Sequence, residues 1–436
     1  MKLFIVFVVS FALLLAGCSS ETQDGETGTA GPTEANSGGA GNPKDIKAKL
    51  NVLNWGNPKE AEAYKKAIAR FNEKYPNVEV ANNLTPVASW SDYVDKWMTQ
   101  VASGDSPDVI NLAIEGTRLA VDKQLLMPLN EWIEGDAEVK ELIGGVPAPV
   151  LSAFTVDDNT YLLPNGMQTM VMYYNTKIFE EKGIEPPKPD WTWEDFLAIA
   201  QKLTYGDGSD KVYGFGLQNG FFQLSPWWIT NGTSPVTADF EGSNLSDPKF
   251  VETVQFITDL VREYKVSPDP LGLDVITQFG SGKLAMVGAG RWPLNGWRES
   301  GFTDFDVVPW PQKTASGTVF GTAGWGIGSA TKNKELAWEL IKELDSAATQ
   351  QETMKIGQQI PVLESLAQQP SFLNTPPANI ELLWSAAQSA TPVAAPAFFR
   401  DMEQIVMRNI EKSLAGKSSP QEAMNQADKE LKEAIQ

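Results

Sequence analysis

Histidine is absent from the 436 residues, and cysteine occurs once, at Cys18. Without histidine neither a Ser-His-Asp nor a Cys-His nucleophile can be assembled, and the usual zinc ligands are missing. No metal site and no cofactor is therefore expected. Cys18 falls in an amino-terminal targeting segment, so the mature fold has neither a disulfide nor a reactive thiol. Positive charge is also scarce: 35 Lys and Arg face 55 Asp and Glu, a formal net charge of −20 without a long acidic run. Such a chain repels a phosphate backbone, which argues against nucleic acid as a partner. Solubility outside the cell accounts for the charge.

What the chain has in excess is tryptophan, 14 in all. At that density indoles are shared between core and binding surface, and the count alone favours neither. The length suffices for two bodies with separate cores.

Residues 1–17 run from Lys2 through the apolar stretch Leu3 to Leu15 into Ala16 and Gly17. This reads as a secretory signal, too short and wrongly flanked for a permanent span. Leu15-Ala16-Gly17-Cys18 resembles the bacterial lipobox, in which cleavage precedes the cysteine and the thiol and new amino terminus are acylated. Several acyl chains on one residue hold a protein at a membrane far more firmly than one. The Gly-, Ser- and Thr-rich stretch that follows, to about residue 45, reads as a disordered tether.

Beyond it the chain alternates strands and helices. Leu50 to Trp55, a helix from Lys59 to Tyr75 and a strand from Asn77 to Ala81 give the βαβ signal of a parallel sheet. A helix from Trp90 to Val101 and a strand over Pro107 to Ala113 continue it. Trp55, Asn57 and Glu115 stand at strand ends, where open α/β sheets collect ligands. A core role for Trp55 and a helix-terminal role for Glu115 are the structural alternatives. Met170 to Tyr174 is a continuous apolar run suited to a strand buried on both faces, and Pro164 to Gly166 read as a bend before it. That bend would place Asn165 and Gln168 in a cleft where the chain crosses between lobes. Asn219, Phe221 and Phe222 follow the short strand Val212 to Leu217. Arg291 and Trp292 follow a second buried strand within a glycine-rich loop, although Arg291 also fits a structural ion pair. Asp306 to Pro311 reads as a return crossing stiffened by two prolines. Gly321 to Ala330 has glycine at alternate positions but matches no phosphate-binding fingerprint.

The segments FNEKYPNVEV, ASGDSPDV, YLLPNGMQTMVMYYNTKIF, TWEDF, QFGSGKLAMVG and GWGIGSATKNKELAWELIKEL resemble the family 1 extracellular solute-binding proteins, sugar-binding lipoproteins of bacterial ABC importers. The resemblance runs from about Leu50 to Leu363. It implies a two-lobe, type II periplasmic-binding fold, each lobe a mixed, mainly parallel sheet flanked by helices, with the ligand cleft between. Ile360 to Val362 resembles the family's third crossing. The implied division is a signal peptide over 1–17, lipidated Cys18 and tether over 18–45, a first lobe of 46–165 with 311–362, and a second of 166–310 with 363–436. The family also implies that the loop at Asn219 to Phe222 lines the cleft, that Trp292 stacks on sugar, and that Trp325 is accessible to ligand. Arg400 is a further candidate, with an ordinary surface position as its alternative.

Sugar rings lay C–H faces on aromatic rings while their hydroxyls need donors and acceptors, and this residue set offers both. The expected function is capture of a neutral oligosaccharide by hinge closure and delivery to the transmembrane subunits of an ABC permease. The protein is expected to act as a monomer, without catalysis, at the outer face of the cell membrane. The competing reading is a secreted glycoside hydrolase with paired carboxylates. Glu115 has no evident acidic partner in the sequence, and Gln168 stands where many maltose binders carry Glu.

Overall fold

A computed structural model describes residues 42–56, 58–87 and 89–435. The signal segment, Cys18, the tether as far as residue 41 and Asn57 lie outside the described residues, and at the end of the expected tether Pro43–Asp45 form a short 3-10 turn.

The first sheet grows from the expected βαβ unit. Strand β1 (Ala48–Asn54) is followed by helix α1 (Pro58–Lys74) and strand β2 (Val78–Leu84), and β1 and β2 pair in parallel. Helix α1 turns Ala63, Tyr64, Ala67 and Phe71 onto the sheet, the i, i+4 spacing of an apolar stripe. Helix α2 (Trp90–Ala102), capped by Ser89, leads into the fully buried β3 (Val109–Ala113), parallel to β1, and helix α3 (Ile114–Asp122) follows at once.

Strand β4 (Leu163–Thr169) then joins this sheet, so Pro164 to Gly166 form extended strand and not the bend read from their composition. Proline is tolerated there because the pairing is irregular, shifting register opposite Ala323 and Gly324. After Met170 the chain enters the second sheet as β5 (Val171–Asn175). That sheet has β5 at its centre, antiparallel to β6 (Met286–Ala289) and to β7 (Phe305–Val308). The Val212 to Leu217 segment adds only isolated parallel bridges.

Pro309 to Pro311 carry the chain back to β8 (Val319–Ile327), which lies between β3 and β4 and is antiparallel to both. The edge strand β9 (Thr391–Pro392) pairs with β8 in parallel. The full order is β9-β8-β3-β1-β2, with β4 also on β8. Near Ile360, which bridges to Met167, the chain passes the junction a third time. Around the second sheet lie α4 (Phe221–Thr230), α5 (Pro248–Arg262), α8 (Phe399–Leu414) and α9 (Pro420–Ile435), while α6 (Lys334–Asp345) and α7 (Ala347–Ile356) pack on α1. Each sheet with its helices forms one lobe.

Candidate ligand-binding site

Three side chains from three segments meet where the chain passes between the sheets. Gln168, near the end of β4, lies opposite Gly321 of β8. Phe222 of α4 faces Gly321, where any side chain would press on its ring. Trp292 follows β6 and lies 6.3 Å from Phe222 between ring centroids, with the planes tilted by 53°. Both residues are half-buried. Glycine is required at Gly290, since a β-carbon there would strike both Trp292 and Gln168.

The amide of Gln168 is engaged at both ends. Its oxygen accepts from the Arg291 backbone N–H at 2.8 Å, and its nitrogen donates to the Gln358 carbonyl at 2.6 Å. Arg291 itself is buried and turned away from solvent: its guanidinium donates to the Gln359 carbonyl at 2.5 Å and lies 4.7 Å from the Phe372 ring. Burial, with Arg298 nearby, holds its pKa down to about 10. It is neither a ligand contact on an open face nor the ion-pair partner weighed from sequence, but a link between the Trp292 loop and the third crossing.

On the first lobe Trp55 is half-buried and meets Trp90 edge-on at 4.1 Å, and Trp90 meets Tyr93 at 5.4 Å. Trp90 was not anticipated. Its signal is an aromatic directly after the Ser89 cap, hidden because the period of α2 reads as core packing. Glu115 lies in the first turn of α3, and its Oε2 atom is buried without a hydrogen-bond partner. Burial above all, with a smaller contribution from Glu403, raises its pKa to about 7. Glu115 therefore does have an acidic neighbour, supplied by α8 some 290 residues away in sequence.

Five other candidates fall elsewhere. Trp325 is completely buried, edge-on to Tyr64 at 5.2 Å within the core between β1 and α1. Asn165 is buried beside it and donates to the Tyr64 hydroxyl at 3.3 Å. Phe221 opens α4 with its ring in the core against Phe399 at 5.5 Å, because successive helical residues diverge by about 100° and Phe222 takes the open side. Arg400 pairs with Asp95 of α2. Asn219 donates to Glu411 at 2.8 Å and borders a hollow of about 370 Å³ lined by Gln218, Gln223 and Asp274. No cluster of three or more metal-ligating side chains occurs among the described residues.

Two sheet-centred lobes, three crossings and an aromatic pair at the junction are the architecture of a type II periplasmic-binding protein. The chain belongs to the bacterial extracellular solute-binding proteins, whose family model matches residues 66–380. It is 24% identical over 338 residues to a maltotriose-binding protein of Pyrococcus abyssi, covering 74% of this chain and 69% of that one. A galactooligosaccharide-binding protein of Bacillus subtilis is 23% identical over 429 residues, 93% of each chain. An ABC substrate-binding protein of Listeria monocytogenes solved in complex with cycloalternan superposes with a TM-score of 0.79 and 25% identity, over 89% of this chain and 99% of the other.

Proposed function

We propose that the protein captures a neutral oligosaccharide outside the cell and passes it to the transmembrane subunits of an ABC permease. The observation that carries this reading is the Phe222–Trp292 pair, two half-buried aromatic residues at the junction of lobes in a solute-binding fold. A ring of C–H bonds lies flat on aromatic faces, whereas an anion or a small polar solute gains little from them. Trp55 and Glu115 supply a second aromatic wall and a hydroxyl partner, and Asn57 follows Trp55 in sequence. The lobes divide at Met170, at Pro309 to Pro311 and near Ile360, and closure about these points is stabilised as far as the ligand prefers the closed form. A lipid anchor at Cys18 would keep a monomeric receptor at the outer membrane face beside its permease, with no enzymatic step. The curated sugar-binding relatives support capture over hydrolysis.

Tryptophan fluorescence titrated with maltotriose, a galactooligosaccharide and cycloalternan tests the proposal, with sn-glycerol 3-phosphate as an anionic control. A saturable change with at least one sugar and none with the phosphate is expected. Reducing ends released from any of the sugars would instead favour a hydrolase.

A further inference from the structure

The amino-terminal halves of α2, in the first lobe, and α8, on the second, meet across the cleft. Ser91 donates to a Glu403 carboxylate oxygen at 2.5 Å, and one turn further along α2 Asp95 forms an ion pair with Arg400. In both helices the partners are spaced three or four residues apart, so they share one face, and the two contacts lie in register. Further contacts join the lobes in the same state: Arg118 of α3 stands over the Phe240 ring at 5.9 Å, and Lys59 reaches Glu299 at 2.7 Å. The Glu60 carboxylate, from the first turn of α1, accepts from the Gln359 amide at 2.9 Å beside the third crossing.

We propose that Ser91, Asp95, Arg400 and Glu403 form a catch that holds the lobes closed. The catch consists of positioning residues and not of ligand contacts, and the inference rests on the two-lobed capture reading above. Closing the cleft brings Glu115 of α3 beside Glu403 of α8, so two carboxyls lose water together. The other charged groups at this junction are Asp92 and Asp95 of α2, Arg118 of α3, and Arg400 and Asp401 of α8. Asp92 adds to the repulsion on Glu403, whereas Arg400 and the Ser91 hydroxyl relieve it. Burial raises the pKa of both glutamates, that of Glu115 to about 7. Opening returns them to water and to ordinary carboxylate values near 4.3. The closed form therefore binds more protons than the open form, and its advantage is present at pH 5–6 and lost as pH rises through about 7. Ser91 still serves a protonated Glu403, because a hydroxyl can donate or accept.

The test is a spin-label distance measurement on the ligand-free protein, with Ser103→Cys on the first lobe, Lys202→Cys on the second, and Cys18→Ser to remove the native thiol. A short, closed distance should be populated at pH 7 and grow at pH 5.5. Asp95→Asn should lower the ratio of closed to open about threefold, the scale of a partly exposed ion pair. Glu403→Gln should keep the closed population and reduce its pH response, and Glu403→Gln combined with Glu115→Gln should flatten it. Identical distributions in the parent and Asp95→Asn, or a pH response unchanged by Glu403→Gln, would overturn the catch. No sugar enters the measurement, so failure of the catch and failure of sugar capture are separately visible.

Discussion

Replacing Trp292 by alanine removes the larger of the two rings at the junction while leaving both sheets intact. A hexose face laid on an indole covers about 50–80 Å² of apolar surface, which at about 25 cal/mol/Å² is about 1.3–2 kcal/mol. The favourable geometry of a C–H face over an aromatic ring adds about 0.5 kcal/mol. The loss of about 2 kcal/mol raises Kd about 30-fold. Trp292 is only half-buried and rests on Gly290, Gln168 and Phe222, so truncation costs the fold less than the 3–5 kcal/mol of a core tryptophan. Calorimetric titration of parent and Trp292→Ala with the best responder from the fluorescence panel gives the ratio, and far-UV circular dichroism checks that the variant is folded. A Kd within twofold of the parent in a folded variant would refute the placement of the sugar on this ring.

Two further outcomes test the frame around the site. Gly324→Ala should destabilise the protein by about 2–3 kcal/mol, because its β-carbon would stand 2.5 Å from the Leu163 carbonyl oxygen of the neighbouring strand, and a chemical denaturation curve should show it. Asp345 is almost fully buried at the end of α6, and burial, only partly offset by the Gln350 amide, raises its pKa well above the usual carboxylate range. The folded form thus keeps a proton that the unfolded chain has lost above about pH 4. Asp345 therefore lends stability at low pH that fades as pH rises toward its folded pKa. Urea midpoints compared at pH 5 and pH 8 should fall in the parent and change less in Asp345→Asn.

Most of the architecture was legible because period and punctuation agreed. The βαβ start, the helix after Trp90 and the buried strand up to Ala113 all appear where the pattern put them. Two of the misplacements share one physical cause, that a strand or helix start divides neighbouring residues between two faces. The resemblance implied that Trp325, within the alternating glycines of Gly321 to Ala330, is accessible to ligand. In the fold these glycines strip one face of β8 so that neighbouring backbone can approach, with Gly324 and Gly326 lying on Leu163 and Tyr161. Trp325 then has to point to the opposite side, into the core with Tyr64. Phe221 and Phe222 divide in the same way at the start of α4. Arg400 was visible as a cation but not as the partner of Asp95, because nothing local links positions 305 residues apart.

Gln168 shows why hinge and site are hard to separate in this chain. Its place demands one acceptor, for the Arg291 N–H, and one donor, for the Gln358 carbonyl. A primary amide meets both needs, while a carboxylate of equal length would turn an oxygen toward a carbonyl oxygen. Gly166, two residues earlier, leaves the room that the Gln359 side chain fills on its way to Glu60. The Trp292 loop, β4 and the third crossing are thus one hydrogen-bonded unit at the pivot. A ligand laid on Trp292, as proposed, would act directly on this unit. Under the proposed function, capture and closure would be coupled through Gln168, without any need for the amide to touch the sugar.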